Sequence, residues 1–189
     1  MEDLRAWNAA QKIPILYVTH SRDEVDALGE RVVALERGRI ISEGTPGEVL
    51  NAPRRRRLAQ AAGFENFLNA IVLDLREADG VMRVRLAQSS SEIEIPLGYA
   101  SPGDHVRIAI RAGDILLATE RPRGLSARNV LEGKILSLEQ RGAMVIARVD
   151  CGVALNVHVT PGATRALELG VGKPIWIVLK THSCHLVDD

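Results

Sequence analysis

Aromatic residues make up only 3% of this 189-residue chain, with two each of Phe, Tyr and Trp. So few rings leave little on which unpaired bases could stack, which argues against a single-strand nucleic-acid binder. Net charge is missing as well. Lys+Arg 24 against Asp+Glu 24 gives a formal charge of +0, so no global field holds a nucleic-acid backbone or an anionic membrane, and any anion site has to be local. Two cysteines, Cys151 and Cys184, are too few for a disulfide scaffold and fit free thiols in a cytoplasmic protein. The longest apolar runs, such as Ile175 to Leu179, fall far short of the roughly 20 residues a membrane helix needs. Met1-Glu2-Asp3 with its polar followers does not read as a signal peptide. No Ser/His/Asp nucleophile arrangement or paired carboxylates stands out. The remainder is an ordinary globular composition, 46% hydrophobic and 25% charged, enough for one or two small domains.

The first sixty or so residues alternate strand and helix signals. Ile13-Pro14-Ile15-Leu16-Tyr17-Val18 is a continuous apolar run, the pattern of a strand buried on both faces of a parallel sheet. Ser21-Arg22-Asp23-Glu24 is a capping box that opens a helix with Val25 and Leu28 inward and Gly29 at its end. His20 therefore falls at a strand-to-helix turn, where open α/β sheets place their ligands. Arg31 to Leu35 and Arg39 to Ile41, around Glu36-Arg37-Gly38, read as a hairpin, and Thr45-Pro46-Gly47-Glu48 as a second capping box. The basic run Arg54 to Arg57 has no interleaved aromatic and reads as a solvated helix face or linker.

The string from Tyr17 to Val49, Y-V-T-H-S-R-D-E-V-D-A-L-G-E-R-V-V-A-L-E-R-G-R-I-I-S-E-G-T-P-G-E-V, resembles the last part of an ABC-transporter ATPase domain. The resemblance implies that His20 is the switch histidine that touches the γ-phosphate of ATP, a catalytic role open to it only in a complete ATPase with ATP and Mg bound. No G-x-x-x-x-G-K-[ST] loop is present to cradle phosphates. Gly170-Val171-Gly172-Lys173-Pro174 lacks the first spaced glycine and reads as a turn. Ile71-Val72-Leu73-Asp74 has Leu75 where a catalytic Glu is expected. The chain alone is therefore expected not to hydrolyse ATP.

The rest of the sequence is an internal repeat. Gly103 to Arg111 aligns with Gly172 to Lys180, Leu117 falls on Leu186, and Asn66 to Val72 aligns with Asn129 to Ile135. Each unit holds short β-branched runs broken by Gly, Asp or Pro, such as Val81 to Leu86 and Val145 to Val149, the signature of small antiparallel barrels of OB type.

The second unit resembles the molybdenum-binding (TOBE/Mop) domain found at the carboxyl end of molybdate-transporter ATPases and in small molybdate-binding proteins. Ser126-Ala127-Arg128-Asn129 matches its opening motif, Val159-Thr160 the end of its central strand, and Leu179 to Ser183 its closing strand. A tetrahedral dianion requires positive charge and convergent donors, which guanidinium, ammonium and hydroxyl groups supply. The resemblance thus marks Ser126, Ala127, Arg128, Thr160, Lys180 and Thr181 as the molybdate-binding set. The first unit has Glu65-Asn66 where the second has Arg128-Asn129, and a carboxylate beside a dianion is repulsive, so only the second unit is expected to hold the anion. Period-2 geometry would put His182 and Cys184 on one strand face and His185 on the other, short of a zinc site, and no metal site is expected. His105 and His158 read as ordinary strand residues.

The expected fold is an α/β fragment, the C-terminal end of an ABC ATPase domain (1–60), followed by an all-β tandem OB-like barrel of TOBE/Mop type, its units at 61–124 and 125–189. The expected function is that of the C-terminal portion of a molybdate importer's ATP-binding protein with a regulatory molybdate-binding domain. The competing expectation is a free-standing molybdate or tungstate buffer. The implied partners are a second copy of the chain, joined through the barrels, and a membrane permease. The implied location is the cytoplasm, on the inner face of the membrane when assembled.

Overall fold

The computed structural model describes residues 4, 7, 8, 11, 13–36, 38–51 and 56–188. Met1-Glu2-Asp3 and the first two residues of the basic run Arg54 to Arg57 lie outside the described residues; Arg56 opens a helix, which the backbone of Arg57 continues.

The amino-terminal part forms less α/β structure than its pattern suggests. Residues 13–19 belong to no strand or helix, and Leu16 and Val18 are 94% and 86% exposed. A strand buried on both faces needs a neighbour on each edge, and among the described residues none pairs with this segment. The helix that follows, α1 (Arg22–Leu28), does form. Ser21 caps it by accepting from the Glu24 N–H at 3.5 Å, but the Glu24 carboxylate turns to Thr19 and Tyr17, so only half of the box is made. Strands β1 (Val32–Glu36) and β2 (Arg39–Gly44) form the hairpin. The second box is complete, with the Glu48 carboxylate accepting from the Thr45 N–H at 2.8 Å and the Thr45 hydroxyl accepting from the Glu48 N–H at 3.3 Å. The turn it caps, Gly47–Asn51, is π-helical.

Helix α2 (Arg56–Ala61) leads into the repeat. The first unit supplies β3 (Asn66–Arg76), β4 (Val81–Leu86), β5 (Glu92–Pro96), β6 (His105–Ile110) and β7 (Leu116–Ala118). The second supplies β8 (Asn129–Arg141), β9 (Met144–Asp150), β10 (Ala154–Val159), a short helix α3 (Pro161–Ala166), β11 (Pro174–Leu179) and β12 (His185–Val187). The repeat extends to irregularities. β3 is bulged between Val72 and Asp74, and β8 at the corresponding place between Ile135 and Ser137. At each bulge a glycine N–H donates to the strand's carbonyl, Gly103 to Val72 and Gly172 to Ile135, both at 2.8 Å. These glycines hold φ of 93° and 87°, a left-handed conformation that side chains resist, which accounts for their alignment.

The two sheets share one strand order but exchange their last members. The orders are β12-β6-β3-β4-β5 and β10-β9-β8-β11-β7, so β7 of the first unit pairs with β11, and β12 of the second pairs with β6. A 3-10 turn makes each crossing, Ala112–Asp114 before β7 and Thr181–Ser183 before β12. The expected closing strand through Ser183 therefore ends at Leu179, because the chain has to leave one sheet for the other. This also removes the strand alternation assumed for His182 and Cys184. Both curled sheets share one apolar core, from Met82, Ile95 and Ile110 to Leu155, Ile177 and Cys184. Both cysteines are free and buried, and burial pushes the Cys184 thiol up to about 12.

The exchange is directly testable. A chain ending at Ser183 loses three ladder pairs with β6 and the packing of Leu186 and Val187, for an expected destabilisation of about 3–5 kcal/mol. Urea unfolding followed by far-UV circular dichroism measures it.

Candidate functional site

The opening motif and the end of β11 meet because β8 and β11 are antiparallel neighbours with Leu179 opposite Asn129. Just beyond that pair lies a pocket of about 380 Å³, to which Ser126, Ala127, Lys180 and Ser183 of the second unit contribute. Gly113, Asp114 and Leu116, brought over from the first unit by the exchanged β7, line its other side. An ammonium, two hydroxyls and the backbone around Ala127 thus line a concave, partly apolar surface. Lys180 carries the only formal positive charge among the described lining residues, and Asp114 offsets it.

Of the six residues singled out from the sequence, the structure brings Ser126, Ala127 and Lys180 to this pocket. Arg128 turns away, its Nε 3.4 Å from Oε2 of Glu94 on β5. Thr181 opens the 3-10 turn and is buried outside the lining. Thr160 caps α3 by accepting from the Ala163 N–H at 3.1 Å. The β8-β9-β10 register puts it beside the far end of β8, near Gln140 and Val145. His20 is exposed at the bend before α1.

Three residues were not singled out from the sequence, although Asn129 and Ser183 lie within the matched motifs. Ser183 and Asp114 reach the pocket only through the two crossing turns. Asn129, only 3% exposed, is not a ligand but a clamp: Oδ1 accepts from the Glu94 N–H at 2.7 Å and Nδ2 donates to the Glu94 carbonyl at 2.8 Å. Its repeat partner Asn66 does the same to Asn156, at 2.7 and 2.9 Å. Each unit thus grips the edge strand of the other, and the alignment of the two asparagines was the available signal.

In the first unit the equivalent pocket is filled. Gly63-Phe64 replaces Ser126-Ala127, and the Phe64 ring, 2% exposed, packs edge-on against His185 with centroids 5.0 Å apart. Arg111, which corresponds to Lys180, lies over that ring at 4.3 Å and donates to the carbonyls of Ala62 and Leu50. It has become a joint between the β unit and the segment before it. His185 sits beside Arg111 and is half-buried, and both effects hold its imidazole below its ordinary pKa, burial contributing most. The Glu65 carboxylate accepts from the Ala112 N–H at 2.9 Å and lies 3.8 Å from His158. Among the described residues no cluster of three or more His, Cys, Asp or Glu side chains is placed to hold a metal ion. No described helix is long and apolar enough to cross a membrane.

Two interlocked half-barrels with an open donor pocket at one crossing define a class of small β domain, and residues 125–186 match the TOBE domain family. Over most of its length the chain is similar to molybdenum and molybdate/tungstate import ATP-binding proteins. It is 40% identical over 177 residues to the molybdenum import ATP-binding protein ModC of Rhizobium meliloti strain 1021, covering 90% of this chain and 48% of the relative. It is 30% identical over 183 residues to the molybdate/tungstate import ATP-binding protein WtpC of Pyrococcus abyssi, covering 96% and 49%. The chain therefore spans about half the length of the curated relatives it matches. Its fold is similar to that of the cytoplasmic molybdate-binding protein ModG, solved with molybdate bound, at a TM-score of 0.60 and 21% identity, covering 65% of this chain and 95% of that one.

Proposed function

We propose that the chain is the carboxyl-terminal portion of a molybdate importer's ATP-binding subunit, and that its second β unit binds molybdate in a regulatory role. The observation that carries this reading is the pocket in which Ser126, Ala127, Lys180 and Ser183 converge inside the TOBE-matched residues. Lys180 supplies charge, the hydroxyls and the Ala127 amide supply directional donors, and Leu116 and Val178 help to exclude water. Arg128, which here pairs with Glu94 outside the lining, would supply the second cation on moving to the anion. Because Lys180 and Asp114 cancel, a dianion needs that second cation or one from a neighbouring copy, which supports a homodimer joined through the β units.

In the complete subunit, His20 would serve as the switch histidine, with ATP and Mg held by a phosphate loop. The sequence of this chain holds no such loop. The reading places the assembled protein at the cytoplasmic face of the membrane beside a permease. A free-standing molybdate or tungstate buffer is the second reading, favoured by the near-complete coverage of ModG by the β units.

Calorimetric titration with molybdate, with tungstate and sulfate for comparison, tests the binding. Saturable binding together with molybdate-dependent dimerisation in sedimentation is the expected result. Absence of binding at millimolar molybdate would overturn it. The same chain is expected to show no ATP turnover, which a phosphate-release assay checks. Hydrolysis lost in His20→Ala would count against that expectation.

A further inference from the structure

We propose that Glu94 is an internal counter-ion that holds Arg128 off the pocket and so sets the affinity of the second unit for a tetrahedral dianion; this rests on the pocket assignment above. Glu94 is held at its backbone and at both carboxylate oxygens. Its backbone is gripped by the Asn129 side chain, its Oε1 lies 3.2 Å from Nη1 of Arg76, and its Oε2 faces the Arg128 guanidinium. The Glu94 side chain is 18% exposed and that of Arg128 65%, so the carboxylate is the anchored partner and the arginine the movable one. A surface pair of this kind is weak, and a doubly charged oxyanion beside Ala127 competes for the guanidinium with twice the charge of one carboxylate.

The pocket's own balance gives the exchange its purpose. Lys180 and Asp114 leave it without net formal charge, and drawing Arg128 across from Glu94 adds the missing positive charge. The repeat shows that such a crossing belongs to the fold: Glu65, the counterpart of Arg128, also reaches the other unit's edge strand, 3.8 Å from His158 and two positions beyond Asn156, the counterpart of Glu94. On this basis molybdate binding releases one of the ties between the second unit and β5, leaving the Asn129 clamp in place.

The test compares molybdate titrations of the wild-type chain, Glu94→Gln, Arg128→Ala and the double variant, with Glu92→Gln as control because Glu92 pairs with Arg83 and not with Arg128. Glu94→Gln is expected to bind about threefold more tightly, Glu92→Gln as wild type, and the double variant no more tightly than Arg128→Ala alone. Thermal unfolding verifies that each variant folds, and Glu94→Ala replaces the glutamine variant if that one does not. Wild-type binding with no gain in Glu94→Gln, or a gain that persists without Arg128, overturns the proposal alone. Failure of every variant, the wild type included, to bind overturns the pocket assignment with it.

Discussion

Lys180→Glu is expected to abolish molybdate binding. The substitution changes the charge at the pocket by two units, and the Asp114 carboxylate already lines the same surface. Even at water's dielectric constant, a change of two units about 5 Å from a dianion costs about 3 kcal/mol, more than about a hundredfold in Kd, and a partly dehydrated pocket raises that figure. Asp114→Asn is expected to move affinity the other way. Arg128→Glu should also eliminate binding, since it replaces the second cation with an anion beside Glu94. Glu65→Ala should leave affinity nearly unchanged, because the first unit's equivalent pocket is occupied by Phe64 and Arg111 whatever stands at residue 65. Calorimetric titration of the variants is the measurement, and retained binding in Lys180→Glu would place the site elsewhere.

The repeat made much of this fold legible, because each unit repeats its strand-breaking glycines and apolar runs at matching offsets. Exchange of β7 and β12 was not legible. Either short strand could pair in its own unit or in the other, and only the path of the preceding 3-10 turn decides which. The asymmetry between the units was legible in part. Glu65 opposite Arg128 drew attention to charge, whereas Gly63-Phe64 opposite Ser126-Ala127 fills the space before charge can act. Arg128 illustrates another boundary. Its motif marks it as an anion ligand, yet its ionic partner Glu94 lies 34 positions away on a different unit's edge strand, where no local pattern announces it. The segment 13–19 shows the opposite failure: a strong strand pattern needs neighbours to become a strand, and pattern alone cannot supply them.

Asn66→Ala is expected to destabilise the β units by about 2–4 kcal/mol, the largest stability effect anticipated for a single polar side chain here. β10 and β5 end their sheets, and an edge strand presents backbone donors and acceptors that need partners. Asn66 supplies both for Asn156 from within the opposite unit, acting as one more ladder residue. Truncation to alanine removes the two hydrogen bonds, leaves the Asn156 N–H and C=O in a largely closed interface, and opens a small cavity. Asn66→Asp should be about as damaging, since a carboxylate cannot donate to the Asn156 carbonyl. Asn129→Ala removes the same pair of bonds at Glu94 and is expected to match it. The two clamps grip different edge strands, so their effects should add to within about 0.5 kcal/mol if each acts independently. A sum of this size approaches the whole stability of a domain, and the double variant should be largely unfolded at room temperature. Urea titrations of both single variants and the double one, followed by far-UV circular dichroism, give the comparison. A loss below about 1 kcal/mol in both single variants would show that water replaces the asparagines and that apolar packing alone holds the two units together.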